Sequence, residues 1–231
     1  ALGVMKKAQS EVDTYCEKLE NVMTLGVVSK PFSQMMLMEF KSLYPNCSIR
    51  QIDLSAGNVE EELLKNQVDY VITACLSPSP GIVGEEIRRE QMVLVVPSSH
   101  PLADRSYISL GEARGEKFIN LPKEYEYRKN TDRMCQEAGF TPDVAMECFH
   151  CHMVELVSAG HGVALMTRDR AMKNQGNDRI RILPVRDPEY YMCYYIVWKA
   201  GHHFNKISRE FRKYLKEHCG AEEVECGGCE G

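Results

Sequence analysis

At 231 residues, the chain can bury one or two hydrophobic cores, and its 44% apolar and 26% charged content is ordinary for a globular protein. A net charge of −5 argues against the chain gripping a nucleic-acid duplex alone, because neutralising phosphates needs clustered Lys and Arg. No stretch reaches the roughly 18 apolar residues of a membrane span, so no membrane partner is expected. The opening residues Ala1 to Lys7 lack the apolar core and cleavage site of a secretory signal. Without an export signal, the ten cysteines read most simply as reduced thiols in a cytoplasmic protein.

Residues 1–20 read as one helix. Val4, Ala8, Val12, Tyr15 and Leu19 form a single apolar seam, with Lys6, Lys7, Glu11, Asp13, Glu17 and Lys18 on the other faces. A lone helix of this length is marginal in water and needs a partner: another chain, or its own domain if it folds back.

Met23 to Val28 is a short apolar run suited to a strand buried on both faces. Pro31 sits where a helix begins, since its missing N–H costs nothing there. Phe32, Met36, Phe40 and Tyr44 follow at helical spacing, with Leu43 widening the stripe, until Tyr44-Pro45-Asn46 ends the helix. Ile49 to Leu54, Val59 to Gln67 and Tyr70 to Ala74 read as strand, helix and strand. Two βαβ units this close together imply parallel strands covered by helices.

Ser77 to Gly81 reads as a loop, and Gln91 to Pro97 as a strand with apolar residues throughout Met92 to Val96. Ser109-Leu110-Gly111-Glu112 fits a capping box. Strands are predicted over Phe118 to Leu121, Val144 to Glu147, Val163 to Met166, Ile180 to Val185 and Tyr190 to Trp198. Helices are predicted over Tyr127 to Ala138, ended by Gly139, over His152 to Ala159, ended by Gly160, and from a Thr167 cap to about Asn174. The last helix puts Phe204, Ile207, Phe211, Tyr214 and Leu215 on one face.

Four segments in order resemble a known family. Phe40 to Pro45 is similar to the "F…YP" helix end of LysR-type transcriptional regulators, and Leu64 to Ile72 to their "L…g.lDlai" segment. Met92 to Ala103, with His100-Pro101-Leu102-Ala103 intact, resembles "l.lv.p..HPLa", and Leu156 to Met166 resembles "lV.aG.Gva.lp". The resemblance covers roughly residues 22 to 218. It implies the effector-binding domain of such a regulator. Its fold would be α/β, two-lobed and type II periplasmic-binding-protein-like, with two Rossmann-like subdomains joined by two crossings. Placed on that fold, lobe one takes 21–96 plus 188–218 and lobe two takes 97–187, with the return crossing near Arg186-Asp187-Pro188. Residues 1–20 would end a dimerisation or linker helix, and 219–231 form a small, acidic, flexible tail. DNA would be reached only through an N-terminal winged helix-turn-helix absent from this chain. A homodimer or higher oligomer is implied, with Val59 to Gln67 contributing. The alternative within the same fold is a free-standing periplasmic-type solute-binding protein.

Cys148-Phe149-His150-Cys151-His152 carries the sharpest local chemistry. Two thiolates and two imidazoles are suitable soft-metal ligands, and Cys148 with Cys151 could form a redox pair at a helix start. Alternation along a strand end would part Cys148 and His150 from Phe149 and Cys151, so only a turn could converge all four. The expectation is therefore no metal and no cofactor, with Cys148 in the core and His150 or Cys151 as a contact residue, and metal or thiol sensing by Cys148, His150, Cys151 and His152 as the alternative. The Cys226/Cys229 pair in the tail has glycines at both inner positions and reads as solvated.

No Gly-x-Ser-x-Gly, phosphate loop, dinucleotide fingerprint or His-Glu-x-x-His is present, so the chain is not read as an enzyme. A small-molecule effector is expected in a cleft between the lobes. Strand ends and helix starts supply its contacts: Ser29, Lys30, Phe32, Ser33, Thr73, Ala74 and Cys75 in lobe one; Ser98, Ser99, Leu121, Pro122, Phe149, His150, Cys151, Met166 and Thr167 in lobe two. Free N–H groups at the first helix start, with Lys30 beside them, favour a small anionic metabolite, although Ser29 and Ser33 could serve equally as helix caps.

Overall fold

A computed structural model of the chain describes residues 20–28, 30–76 and 79–219. The seam of residues 4–19 and the acidic tail beyond Cys219 lie outside the described residues. The chain folds into two compact α/β units. It passes from unit one to unit two between Arg88 and Arg89 and returns between Cys193 and Tyr194. The first passage lies in the strand expected to cross, a few residues ahead of Gln91, and the second falls beyond Arg186-Asp187-Pro188.

Unit one begins with β1 (Val22–Val27), α1 (Lys30–Leu43), β2 (Ser48–Asp53), α2 (Val59–Leu64) and β3 (Tyr70–Thr73). β1 pairs in parallel with both β2 and β3. The central position of β1 explains its burial, with Met23, Leu25 and Val27 fully enclosed. The far side of β3 pairs antiparallel with β9 (Tyr191–Lys199), and β9 neighbours β4 (Ile82–Pro97). α6 (Lys206–His218) closes the unit, capped by the Asn205 side chain, which accepts from Ser208 N–H at 3.0 Å.

One part of the core of unit one is aromatic. Phe40 on α1 meets Phe211 edge to face at 5.0 Å and Tyr214 at 5.4 Å, joining α1 to α6. Tyr70 stacks on Phe204 at 4.5 Å and donates its hydroxyl to the Ser208 carbonyl at 3.1 Å. Two sequence readings need correction here. Leu43 does not widen the buried stripe: it is the last residue of α1 and 58% exposed. The strand expected at Gln91 instead begins at Ile82. Its early half carries Glu85, Glu86, Arg88 and Arg89, which mask the strand pattern. The charge at Glu85 is tolerated because Arg212 and Lys216 pair with it from α6.

Unit two holds the rest of β4, with β5 (Lys117–Asn120), α3 (Glu126–Glu137), β6 (Asp143–Glu147), α4 (His150–Ser158), β7 (Ala164–Thr167), α5 (Arg168–Met172) and β8 (Ile180–Pro184). β4 lies between β7 and β8, antiparallel to both. Its Met92 to Pro97 segment is buried at every residue, as its unbroken apolar run requires. β5 and β6 pair in parallel, and Val163 bridges β5 to the start of β7. Ile119 N–H donates to Val163 O, and Val163 N–H to Lys117 O, both at 2.8 Å. Gly162 makes that approach possible, because a Cβ on it would collide with the Lys117 carbonyl. Gly160, at φ +80°, takes the left-handed step just beyond α4. The Ser109 box forms, with Ser109 N–H donating to Glu112 Oε2 at 2.9 Å around a short 3-10 turn.

Candidate functional site

In both units the register decides which candidate residues share an edge. In unit one, β1 and β3 run in parallel, and Val28 N–H donates to Ile72 O at 2.9 Å. The end of β1 therefore lies beside Thr73-Ala74-Cys75. α1 starts at Lys30, immediately beyond β1. Ser29 lies outside the described residues, as do the side chains of Lys30, Phe32 and Ser33. Thr73 and Ala74 are buried, whereas Cys75 is exposed. Thr73 Oγ1 lies 3.2 Å from both the N–H and the carbonyl of Cys75, which shapes this turn.

In unit two, the carboxyl ends of β5, β6 and β7 face one edge. Leu121, Pro122, Phe149, His150, Cys151, Met166 and Thr167 gather there. Ser98 and Ser99 do not. β4 is antiparallel to β7, so Met92, not Pro97, lies opposite Thr167. The two serines sit at the opposite edge, where Ser98 N–H donates to Arg179 O at 2.8 Å. From sequence they read as a strand-end loop, because the direction of a strand is set only by its pairing partners. Leu121 and Met166 also differ from expectation, since their side chains pack in the core. Thr167 stands at the N-cap position of α5, but its side chain makes no cap bond.

The Cys148 to His152 segment turns from strand to helix earlier than expected. α4 starts at His150, so strand alternation does not apply to the cluster. Cys148 packs against the unit's core, with its N–H donating to Asn120 O at 2.9 Å. Phe149 is the N-cap, in extended backbone and without a side-chain cap bond. It is 57% exposed and meets Tyr125 edge to face at 6.1 Å. Cys151 and His152 are exposed. Among the described residues, no three His, Cys, Asp or Glu side chains come together as a metal site.

His150 turns inward. Its ring meets Tyr127 edge to face at 4.4 Å, and its Nδ1 is buried with no hydrogen-bond partner among the described residues. Burial, aided by the positive charge of Arg170, pushes the imidazole pKa down to about 3. Burial also raises the Tyr127 phenol, whose hydroxyl donates to Leu165 O at 3.2 Å. This edge thus presents the open amino end of a helix, a neutral histidine and the cation Arg170.

Arg128 on α3 holds the edge in place. It is 5% exposed. Its Nε donates to both Asp132 oxygens at 2.8 Å, and its Nη1 donates to Leu121 O at 2.9 Å and Glu147 Oε1 at 3.0 Å. One guanidinium so ties the ends of β5 and β6 together. Arg128, Tyr127 and Arg170 were missed from the sequence because nothing in their own helices distinguishes them from solvent-facing residues.

The model of the LysR substrate binding domain matches residues 21–220. The chain belongs to the LysR family. It is the effector-binding domain of a transcriptional regulator of that family. An uncharacterized HTH-type transcriptional regulator of Bacillus subtilis, YybE, is 26% identical over 228 residues, covering 93% of this chain and 77% of YybE. GltC, a transcriptional dual regulator of the same organism, is 25% identical, covering 82% of this chain but only 64% of GltC. Among solved structures, the effector-binding domain of QuiR in complex with shikimate superposes with a TM-score of 0.70 at 17% identity, covering 86% of this chain and 96% of that one. The BenM effector-binding domain with benzoate gives a TM-score of 0.72 at 17% identity, covering 85% and 90%. At that identity the likeness concerns the fold, which is the LysR effector-domain, periplasmic-binding-protein-like one. The relatives are named as regulators and not as enzymes, and the free-standing binding-protein alternative is not favoured. No helix among the described residues is long and apolar enough to cross a membrane.

Proposed function

We propose that this LysR effector-binding domain senses a small carboxylate-bearing metabolite and passes the signal to a DNA-binding domain elsewhere in the parent protein. The observation that carries the ligand class is the carboxyl-end edge of unit two. There the amino end of α4 has no side-chain cap, and Arg170 adds positive charge. Unpaired N–H groups and a helix dipole suit an anion. In unit one, α1 begins at Lys30 beside the Thr73-Ala74-Cys75 turn, a second helix start. Shikimate and benzoate, the ligands named for QuiR and BenM, are carboxylates, which supports the same class. The parent is proposed to be a cytoplasmic, DNA-binding homodimer, and sedimentation showing only monomer at high concentration would count against the dimer.

A thermal-shift screen of small carboxylates, amines and neutral metabolites tests the ligand class. A carboxylate at 100 times its Kd is expected to stabilise the fold by about 2.7 kcal/mol through mass action. Arg170→Ala, and separately Lys30→Ala with Ser33→Ala, should each reduce that shift at least tenfold in apparent Kd while leaving the unliganded melting temperature within a few degrees. A best ligand that is cationic or apolar, or full binding by both variants, sinks the anion reading.

The second expectation concerns DNA. This chain alone should show no sequence-specific duplex binding in a mobility-shift assay across a salt series, whereas the longer parent should bind and respond to the ligand. Specific binding by the chain itself would overturn the division of labour.

A further inference from the structure

Cys148 and Cys151 flank the start of α4 in an arrangement with chemistry of its own. Cys148 follows the last residue of β6 and is anchored through its N–H to Asn120 O at 2.9 Å. Phe149 is the N-cap, His150 the first helical residue and Cys151 the second. His152 N–H donates back to Phe149 O at 3.0 Å, so the chain turns tightly between the two cysteines. Both thiols are free, Cys151 exposed and Cys148 half-buried. They lie close enough for the charge of Cys151 to act on Cys148. A Cys-x-x-Cys pair at a helix amino end is the placement used by dithiol redox motifs, because the unpaired N–H groups and dipole there stabilise a thiolate. His150 between them contributes no charge, since burial keeps its ring neutral.

We propose that Cys148 and Cys151 form a reversible intramolecular disulfide under peroxide, giving this loop a second, redox input. Cys151 is the thiol that solvent reaches. Its thiolate sulfur attacks one peroxide oxygen, the O–O bond breaks, and after proton transfer a sulfenic acid and one water result. The Cys148 sulfur then attacks the Cys151 sulfur. The S–S bond forms, the S–O bond breaks, and the departing hydroxide takes the Cys148 proton to leave as a second water. Two thiols give up two electrons in all, and hydrogen peroxide accepts them. Cys148 suits the resolving role: strand pairing fixes its backbone, and burial, with Cys151 beside it, keeps it protonated until Cys151 has reacted.

The bond closes a ring containing Phe149 and His150, so it redraws the uncapped helix start. That consequence rests on the effector reading above, but formation of the disulfide does not. Treating the whole chain with hydrogen peroxide, quenching, alkylating and mapping the peptides tests the chemistry directly. The expected product is a linked Cys148–Cys151 peptide with the loss of two alkylatable thiols, restored by dithiothreitol. Cys151→Ser should abolish that loss at this site. Cys75→Ser, which removes an exposed thiol elsewhere, should leave it unchanged. If Cys151 instead overoxidises without linking to Cys148, or links to a different cysteine, the proposal is wrong. Mapping the unmodified protein decides this even if a variant folds poorly.

Discussion

Acidification from pH 7.5 to pH 5 is expected to lower the unfolding free energy by about 2 kcal/mol through His150 alone. The sign follows from its folded pKa of about 3 against 6.5 for an ordinary imidazole. Above pH 6.5 the ring is neutral in both states and contributes no pH dependence. Between pH 6.5 and about 3, the unfolded chain takes up a proton that the folded chain refuses, so stability falls as pH falls. The structural cause is the inward turn of His150 against Tyr127, with Nδ1 buried and Arg170 disfavouring a second positive charge. His150→Phe keeps a ring of similar size but removes the titration. Urea unfolding of both proteins at the two pH values measures the difference. The wild type should lose about 2 kcal/mol more than the variant over this interval, and equal losses would mean that His150 is solvated and protonates freely. The effect also bears on function. At the proposed site, a carboxylate at this helix start would meet a neutral imidazole, leaving the N–H groups and Arg170 to attract it.

Loss of Arg128 should be the most damaging single change near the site. Arg128→Met keeps much of the buried stem but removes a guanidinium with four hydrogen bonds, two to Asp132, one to Leu121 O and one to Glu147. The Leu121 carbonyl lies on a buried residue, so it would lose a partner without gaining water. Asp132 and Glu147 are partly exposed, which limits the penalty for leaving them unpaired. A cost of about 2–4 kcal/mol is expected. Asp132→Asn should cost well under half as much, because the bonds to Leu121 and Glu147 remain. Unfolding midpoints measure the costs. Amide exchange at Cys148 reports the local consequence: its N–H bonds Asn120 O between the two strand ends that Arg128 ties together, and it should exchange faster in Arg128→Met than in Asp132→Asn. If the midpoint of Arg128→Met stays within 0.5 kcal/mol of wild type, the tie is not structural.

Much of this architecture follows from the sequence alone. Periodicity separates strands of period 2 from helices of period 3.6, and punctuation such as Gly139 and Gly160 marks ends that local backbone chemistry enforces. The segments resembling the LysR family place those elements in one fold. What needed the tertiary structure were properties depending on residues distant in sequence. Ser98 and Ser99 read as members of the strand-end cluster because strand direction is set by pairing partners, and only the antiparallel register of β4 with β7 sends them to the other edge. The early half of β4 shows no apolar strand pattern, and only Arg212 and Lys216, arriving from α6, neutralise Glu85 there. Leu43 reads as core because a stripe on a helix does not say how wide its neighbour is. The same limit hid Arg128 and Arg170. An arginine on a helix reads as solvated, and it becomes a clamp on strand ends or a charge acting on a buried imidazole only when folding brings those groups to it.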